Sequence, residues 1–253
     1  MDILYCKWTT MLNAIKFLAA GAGFICAGAA FSSNTACTLQ SGHNKLPVLE
    51  LYTSEGCSSC PPADQWLSQL KGQTAVVQAF HVGYWDQLGW VDRFAAPAYT
   101  ARQRQVAAWN QQNSIYTPQA VLNGKDWRNW GGRLERLPAE TGLADIRLQQ
   151  LATDQFEATV TPLVGAPTHW SAYWTVTENG YSSKVRAGEN AGAFLQHDFV
   201  VRQYSSAGVY ASDAAQRLTF RSIAPTPDHS RQVNLVVFDP QTGKTLQAIT
   251  APC

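Results

Sequence analysis

Two cysteines separated by two residues are the most reactive feature of this 253-residue sequence. Cys57 and Cys60 lie between an apolar, strand-like run and a segment with helical spacing of its apolar residues. A helix N-terminus favours thiolate over thiol, and the thiolate is the form that attacks a disulfide. We therefore predict that the two sulfurs form a redox-active pair. Cys57 is expected to be the more exposed of the two and to act as the nucleophile, with Cys60 resolving the mixed disulfide.

Two other interpretations of this pair stay open. The first is an inert, structural disulfide between Cys57 and Cys60. The second is a copper site completed by His81, which ends the next predicted strand. A c-type haem would need a histidine directly after the second cysteine, where Pro61 stands, and structural zinc would need further ligands close by. No cofactor is expected for the redox interpretation.

The remaining cysteines allow a second disulfide. Two of the six cysteines belong to the N-terminal leader, so four are left in the mature chain, and four cysteines allow three pairings. If Cys57 pairs with Cys60, then Cys37 and Cys253 remain, one near each end of the mature chain. Their pairing is a hypothesis that the count alone supports.

Strand and helix patterns alternate in the region that holds the cysteine pair. Apolar strand-like runs and helical spacing succeed one another, and this order is typical of a sheet with crossover helices. We predict an α/β domain over residues 44–137. Its elements are a strand at 46–53, a helix at 63–70, a strand at 75–82, a helix at 98–112 and a strand with its turn at 114–124.

The pattern changes after about residue 142. Short strand-like runs follow one another without helical spacing, and Asn179-Gly180 has the composition of a hairpin turn. We predict an all-β, sandwich-like domain over residues 142–253. Its expected strands are 146–151, 156–161, 170–176, 181–185, 199–204, 218–223, 233–238 and 245–249.

The first 36 residues have the features of a secretory signal peptide. Residues 14–31 are almost entirely small or apolar, Lys16 lies near their start, and small residues follow them up to Ala36. Cleavage is expected after Ala36, with Ala30 as the alternative, and a retained membrane anchor is the competing interpretation. We expect a bacterial periplasmic or secreted protein, in a compartment where disulfides persist.

Composition excludes several classes of protein. The chain is 45% apolar and 15% charged, which is ordinary for a packed globular protein and argues against a largely disordered chain. Its formal net charge of +1 lacks the positive excess that nucleic-acid binding usually needs. Neither nucleic acid nor, after cleavage of the leader, a membrane is an expected partner.

The order of these elements resembles the thioredoxin superfamily. The resemblance rests on a CxxC between strand and helix, followed at a distance by Thr117-Pro118 directly before a strand. It implies that the peptide bond before Pro118 is cis, a minority form in proteins. It also implies that Thr117 offers backbone groups to a bound substrate chain. An ordinary edge-strand start is the alternative for Pro118.

A closer resemblance concerns a family of secreted bacterial proteins, domain of unknown function 1223. Four segments carry it, and the match extends from about residue 45 to the C-terminus. Membership implies a thioredoxin-like domain followed by a β-rich one, and it implies no particular reaction. The segments are LELYTSEGCSSCPPAD at 49–64, HVGYWDQLGW at 81–90, YTPQ at 116–119 and GENAG at 188–192.

Several further side chains are candidates for the site. Glu50 lies within the apolar strand and is a candidate proton acceptor for Cys60, with a salt-bridged or strand-end Glu50 as the alternative. Tyr84 and Trp85 are candidate walls of a substrate groove, and Tyr116 precedes the Thr117-Pro118 corner.

The sequence thus predicts a periplasmic thiol–disulfide oxidoreductase-like protein. Its expected partner is a protein thiol or disulfide. The alternatives are a non-catalytic binding module with a structural disulfide, and a copper-handling protein.

Overall fold

The computed structural model describes residues 38–252. Within that range it contains two α-helices, α1 (Pro61–Ser68) and α2 (Pro97–Trp109), and two 3-10 helices, Gly83–Leu88 and Leu134–Arg136. The strands are β1 (Thr38–Gln40), β2 (Val48–Thr53), β3 (Val76–His81), β4 (Gln119–Leu122), β5 (Lys125–Asp126), β6 (Ala144–Ala152), β7 (Gln155–Pro162), β8 (His169–Glu178), β9 (Tyr181–Lys184), β10 (Phe194–His197), β11 (Val200–Ala211), β12 (Gln216–Arg221), β13 (Arg231–Phe238) and β14 (Thr245–Pro252).

Eight strands form one mixed sheet in the order β14-β13-β8-β11-β3-β2-β4-β5. The neighbours β2 and β3 are parallel, and α1 provides the crossover between them. Strand β4 returns antiparallel to β2, with Gln119 opposite Tyr52. The chain therefore enters β4 at the same end of the sheet at which β2 terminates.

Alternation along β2 assigns its side chains to two packing layers. Leu49 and Leu51 join the core beneath α1, together with Trp66. Tyr52, the residue after Leu51, joins a separate core with Tyr99 of α2. Because successive residues of a strand point to opposite faces, α1 and α2 cover opposite faces of the sheet.

A four-stranded antiparallel sheet, in the order β1-β6-β7-β12, packs against the other half of the large sheet. Its apolar side chains share one core with those of β8, β13 and β14. Trp174 of β8 stacks on Phe220 of β12 with ring centroids 5.0 Å apart. Two-layer packing of this kind needs alternating apolar residues on both inner faces, and β6 and β7 have them.

A β-rich fold is thus confirmed, and each of the eight strands expected after residue 142 corresponds to an observed strand. The sequence patterns missed β10. All described residues belong to one compact unit. Strand β3 pairs with β11 through Ala79 and Val200, so a single sheet contains strands from both predicted domains.

Two sequence-based expectations fall outside the described residues. They are the signal peptide over residues 1–36 and the pairing of Cys37 with Cys253. Among residues 38–252, neither helix has the length and apolar character that a membrane crossing requires.

The face of the sheet beneath α2 contains a buried ion pair. Arg102 donates to both carboxylate oxygens of Glu50, at 2.6 and 2.9 Å, and both side chains are almost fully buried. The hydroxyls of Tyr52 and Tyr173 also donate to Glu50, at 2.6 and 3.0 Å. Burial and the neighbouring Glu50 carboxylate raise the pKa of both tyrosines, so they remain neutral donors. This pair fixes α2 to β2 and β8.

We expect Arg102→Ala to lower the free energy of unfolding by about 3–5 kcal/mol, because it leaves the Glu50 carboxylate buried without a counter-charge. The matched control is Arg133→Ala, which removes an exposed partner of Glu135 and should cost less than about 1 kcal/mol. Urea denaturation at pH 7 measures both changes. Equal effects of the two substitutions would contradict the assigned role of the buried pair.

Candidate functional site

The chain leaves β2 at Thr53 and forms a tight turn that carries both cysteines. The backbone N–H of Cys57 donates to the Ser54 carbonyl at 3.1 Å, and that of Cys60 donates to the Cys57 carbonyl at 3.2 Å. Helix α1 begins at Pro61, where a missing N–H costs nothing because the first helical N–H groups have no partner within the helix. Cys57 and Cys60 form a disulfide, with Cα atoms 5.5 Å apart, as their spacing predicted.

Strand β4 begins beside this turn with a cis peptide bond. The bond lies between Thr117 and Pro118, in the form that the resemblance to thioredoxins implies. Gln119 is paired with Tyr52 near the end of β2. Pro118, directly before Gln119, therefore lies at the end of the sheet where the cysteine turn begins. The register of β2 and β4 therefore brings two distant sequence motifs to one corner.

Trp85 connects the two motifs. Its indole N–H donates to the Thr117 hydroxyl at 2.8 Å. Its Cβ lies so close to Gly56 that a side-chain carbon at residue 56 would come within 2.9 Å of it. Glycine before Cys57 is therefore needed to seat Trp85 against the turn. The sequence predicted Trp85 as a wall of a substrate groove. In the structure it lies between Gly56 of the cysteine turn and Thr117, and contacts both.

The other two aromatic candidates occupy different surroundings. Tyr84 is partly buried and lines a cleft of about 380 Å³ together with residues of α2 such as Arg104, and its burial raises its pKa. Tyr116 donates to the Asp126 carboxylate at 2.6 Å and lies under the guanidinium of Arg128. Tyr84 is thus placed beside a cleft, whereas Tyr116 is engaged in a local polar contact.

Both sulfurs of the pair are covered. Cys57 and Cys60 each have 0% of their surface exposed, whereas Ser58 and Ser59 between them are exposed. The expectation that Cys57 is the more exposed cysteine was wrong, because neighbouring segments cover both. One of these segments is the loop between β9 and β10, where the Asn190 side chain donates to the Cys57 carbonyl at 2.9 Å.

A cluster of buried carboxylates and imidazoles surrounds the base of the turn. His81 at the end of β3 pairs with Asp92 at 2.7 Å, and His197 contacts Glu55 at 3.1 Å. The two imidazole rings are 5.0 Å apart. Asp64, in the first turn of α1, accepts a hydrogen bond from Thr53. All five of the titratable groups are buried.

The pKa values in this cluster diverge. Burial raises the pKa of Asp64. Burial alone would lower the pKa of His81, but the charge of Asp92 and its hydrogen bond outweigh burial and leave that pKa above its usual value. Burial would raise the pKa of Asp92, but the charge and hydrogen bond of His81 leave it lowered. Such divergent pKa values are common where proteins handle protons.

Glu50 does not belong to this cluster. The ion pair with Arg102 occupies its carboxylate, and its place in the alternation of β2 directs it to the face covered by α2, opposite to α1. The structure therefore supports the salt-bridged alternative for Glu50, and contradicts its role as the proton acceptor for Cys60. Asp64, one turn after Cys60, is the buried acid on the α1 side.

The copper interpretation finds no ligand set here. In residues 38–252, no group of three or more His, Cys, Asp or Glu side chains is arranged to hold a metal ion. Cys57 and Cys60 are bonded to each other, and the Nδ1 atom of His81 is bonded to Asp92.

The family "Protein of unknown function (DUF1223)" matches residues 48–238, a range that includes the cysteine turn, the cis proline corner and the loop around Asn190. The chain belongs to this family. The resemblance seen in the sequence is thereby confirmed at the level of the DUF1223 family. No curated protein matches the chain.

Two solved structures share the fold of this DUF1223 protein. An X-ray crystal structure of a protein from Agrobacterium tumefaciens aligns with a TM-score of 0.58 at 21% identity, over 81% of this chain and 93% of that one. HBP35 of Porphyromonas gingivalis aligns with a TM-score of 0.53 at 14% identity, over 84% of this chain and 76% of that one. Identities this low show similarity of fold alone.

The sequence patterns did not predict that several residues of this DUF1223 protein lie next to the cysteine turn. Glu55 and Asp64 flank the cysteine pair in the sequence, but His197 comes from a strand 140 residues further along. Glu189 and Asn190 stand between two glycines, Gly188 and Gly192, which signals a turn and gives no hint of what the turn contacts.

The His81–Asp92 pair predicts a specific pH dependence of stability. The raised pKa of His81 means that its charged form contributes stability below its unfolded-state pKa of 6.5, and that this contribution is lost as the pH rises through its folded-state pKa. The lowered pKa of Asp92 contributes stability above 3.8 that is lost as the pH falls through its folded-state pKa. Asp92→Asn should therefore flatten the decline in unfolding free energy above pH 6.5.

Urea denaturation between pH 5 and pH 9 measures this effect. Asp213→Asn, at an exposed carboxylate, is the matched control and should leave the pH profile of the wild type unchanged. If Asp92→Asn follows the same profile as the wild type, His81 does not owe its raised pKa to Asp92.

Proposed function

We propose that this protein is an extracytoplasmic thiol–disulfide oxidoreductase whose redox centre is the Cys57–Cys60 disulfide. The observation that carries the proposal is the corner itself: a disulfide at the start of a helix, beside a cis Thr117–Pro118 bond and connected to it by Trp85. In this proposal β2, α1, β3, α2 and β4 form a thioredoxin-like unit, and the leader directs the chain to an oxidising compartment where such a disulfide persists.

The proposed reaction exchanges two electrons with a dithiol in a protein substrate. A substrate thiolate attacks the Cys57 sulfur, the Cys57–Cys60 bond breaks, and Cys60 leaves as a thiolate that takes up a proton. The second substrate thiolate then attacks the substrate sulfur of the mixed disulfide and releases Cys57, which is also protonated. The substrate gains a disulfide and loses two electrons and two protons, and the protein gains a dithiol. The reverse sequence reduces a substrate disulfide.

The cis proline corner has a positioning role in this proposal. The cis bond lies between Thr117 and Pro118, directly before Gln119, which is paired with Tyr52 near the end of β2 where the cysteine turn begins. Trp85 holds the Thr117 side chain, which leaves the backbone groups of Thr117 as the ones offered to a substrate chain. We infer that the partner is a protein thiol or disulfide presented in an extended conformation.

A second candidate function is favoured by the burial of the pair. Because neither sulfur has exposed surface, the same geometry suits a non-catalytic binding module in which the disulfide only stabilises the turn. The two candidates differ in one measurable property, namely whether a substrate sulfur reaches Cys57.

Capture of a mixed disulfide distinguishes them. Full-length Cys60→Ala, produced with its own leader in a bacterial host, should form protein adducts through Cys57, because the resolving sulfur is absent. Non-reducing gels and mass spectrometry of the linked peptides identify the adducts. The matched control is the double variant Cys57→Ala/Cys60→Ala, which should form none.

The reduction potential provides a second readout for the wild-type protein. A potential between about −120 and −270 mV is the range of catalytic dithiols, whereas one far below about −300 mV is typical of structural disulfides. The absence of adducts at Cys57, together with a potential far below about −300 mV, would reject the oxidoreductase proposal in favour of the binding module.

A further inference from the structure

The loop between β9 and β10 lies directly on the cysteine turn. Its tip, Gly188–Gly192, is bounded by two glycines with positive φ angles of 74° and 89°. Across its base, the Val185 N–H donates to the Ala193 carbonyl and the Gly192 N–H donates to the Val185 carbonyl, at 2.9 Å each. We call this tip the cover loop. It is a compact turn held by its own hydrogen bonds, so it can act as a unit.

Two side chains of the cover loop bind the backbone of the cysteine turn. The Asn190 amide donates to the Glu55 carbonyl and to the Cys57 carbonyl, at 2.9 Å each. The Glu189 carboxylate accepts from the Ser58 N–H at 3.0 Å and from the Ser58 hydroxyl at 2.7 Å. Asn190 thus donates to the carbonyl of Cys57, and Glu189 accepts from the N–H of the next residue, Ser58.

This pairing resembles what an extended polypeptide would supply. The N–H and C=O of one peptide chain can donate to carbonyls and accept from an N–H of another, as they do at a sheet edge. Glu189 and Asn190 satisfy those same groups with side-chain atoms. The cover loop therefore occupies hydrogen-bonding positions on either side of Cys57 that a substrate chain would use.

The tip of the hairpin that carries the cover loop is held by more exposed contacts than its strands are. Strands β9 and β10 form a two-stranded sheet that shares no backbone pairing with the other sheets of residues 38–252, but its side chains are anchored: Tyr181 of β9 donates to Glu178 of β8, and His197 of β10 contacts Glu55. Its tip touches the turn through hydrogen bonds to exposed or partly exposed groups, which exchange readily with other partners.

We propose that Glu189 and Asn190 are specificity-determining residues, which hold the cover loop over the disulfide and restrict access to extended protein segments. A small thiol cannot replace the hydrogen bonds of the loop and meets a buried disulfide. A polypeptide replaces them with its own backbone groups, displaces the loop and gains access to Cys57. This inference rests on the proposed function for its substrate, but the cover itself can be tested without any substrate.

The test measures how fast dithiothreitol reduces the Cys57–Cys60 disulfide in the full-length oxidised protein. Samples are quenched with an alkylating reagent, and the modified Cys57 and Cys60 are counted by mass spectrometry. Asn190→Ala and the double variant Glu189→Ala/Asn190→Ala should be reduced about tenfold faster than the wild type, which corresponds to the loss of one or two hydrogen bonds. Glu189→Gln, which keeps an acceptor oxygen, should stay closer to the wild-type rate than Glu189→Ala.

Glu135→Ala is the matched control, because Glu135 is an exposed carboxylate paired only with Arg133 and should leave the rate unchanged. Melting temperatures of the oxidised variants check their folding. If Asn190→Ala does not fold, Glu189→Ala decides the question alone, because its side chain is exposed and its loss leaves the core intact. Rates within twofold of the wild type for the folded variants would overturn the inference.

This outcome is separable from that of the trapping experiment. Faster reduction in the loop variants, with no adducts at Cys57 and a potential far below about −300 mV, would support the cover loop and reject the oxidoreductase. Adducts at Cys57, with unchanged reduction rates, would support the oxidoreductase and reject the cover loop.

Discussion

The pairing of β2 with β4 is the constraint on which the site depends. Because Gln119 lies opposite Tyr52, the cis Thr117–Pro118 bond comes to the edge where β2 ends and the cysteine turn begins. A shift of this register by one residue would reverse the faces of β4 and separate the two motifs. The fully buried β2, with α1 on one face and α2 on the other, holds that register in place.

The polar groups of β2 and of its continuation separate into two environments with different consequences. Glu50 faces α2, where Arg102 neutralises it and the arrangement ties the helix to the sheet. Glu55, beyond the end of the strand, joins the His197 contact and the His81–Asp92 pair beneath the turn. The Nε2 atom of His81 and the Nδ1 atom of His197 are buried without a hydrogen-bond partner among residues 38–252. Unpaired buried nitrogens are costly, and the pair on the opposite face contains one as well, the Nη1 atom of Arg102.

The C-terminal half contributes to the site as well as to the core. His197 ends β10, and the cover loop precedes that strand, so the β9–β10 hairpin reaches both the base and the top of the cysteine turn. The continuous sheet makes this possible, because the pairing of β3 with β11 fixes the chain that follows the hairpin next to β3. The β-rich half therefore supplies contacts at both the base and the top of the cysteine turn.

Local chemistry determined the parts of this protein that the sequence alone predicted. The spacing of Cys57 and Cys60 led to their disulfide, and alternating apolar residues identified the strands after residue 142, because both depend on neighbouring residues. The tertiary structure alone decided which groups meet across long separations. It placed Glu50 against Arg102 on the face of α2, paired β3 with β11 in one sheet, and brought the loop of Asn190 onto the cysteine turn. No local pattern encodes these contacts, because each depends on strand order and register between segments up to about 140 residues apart.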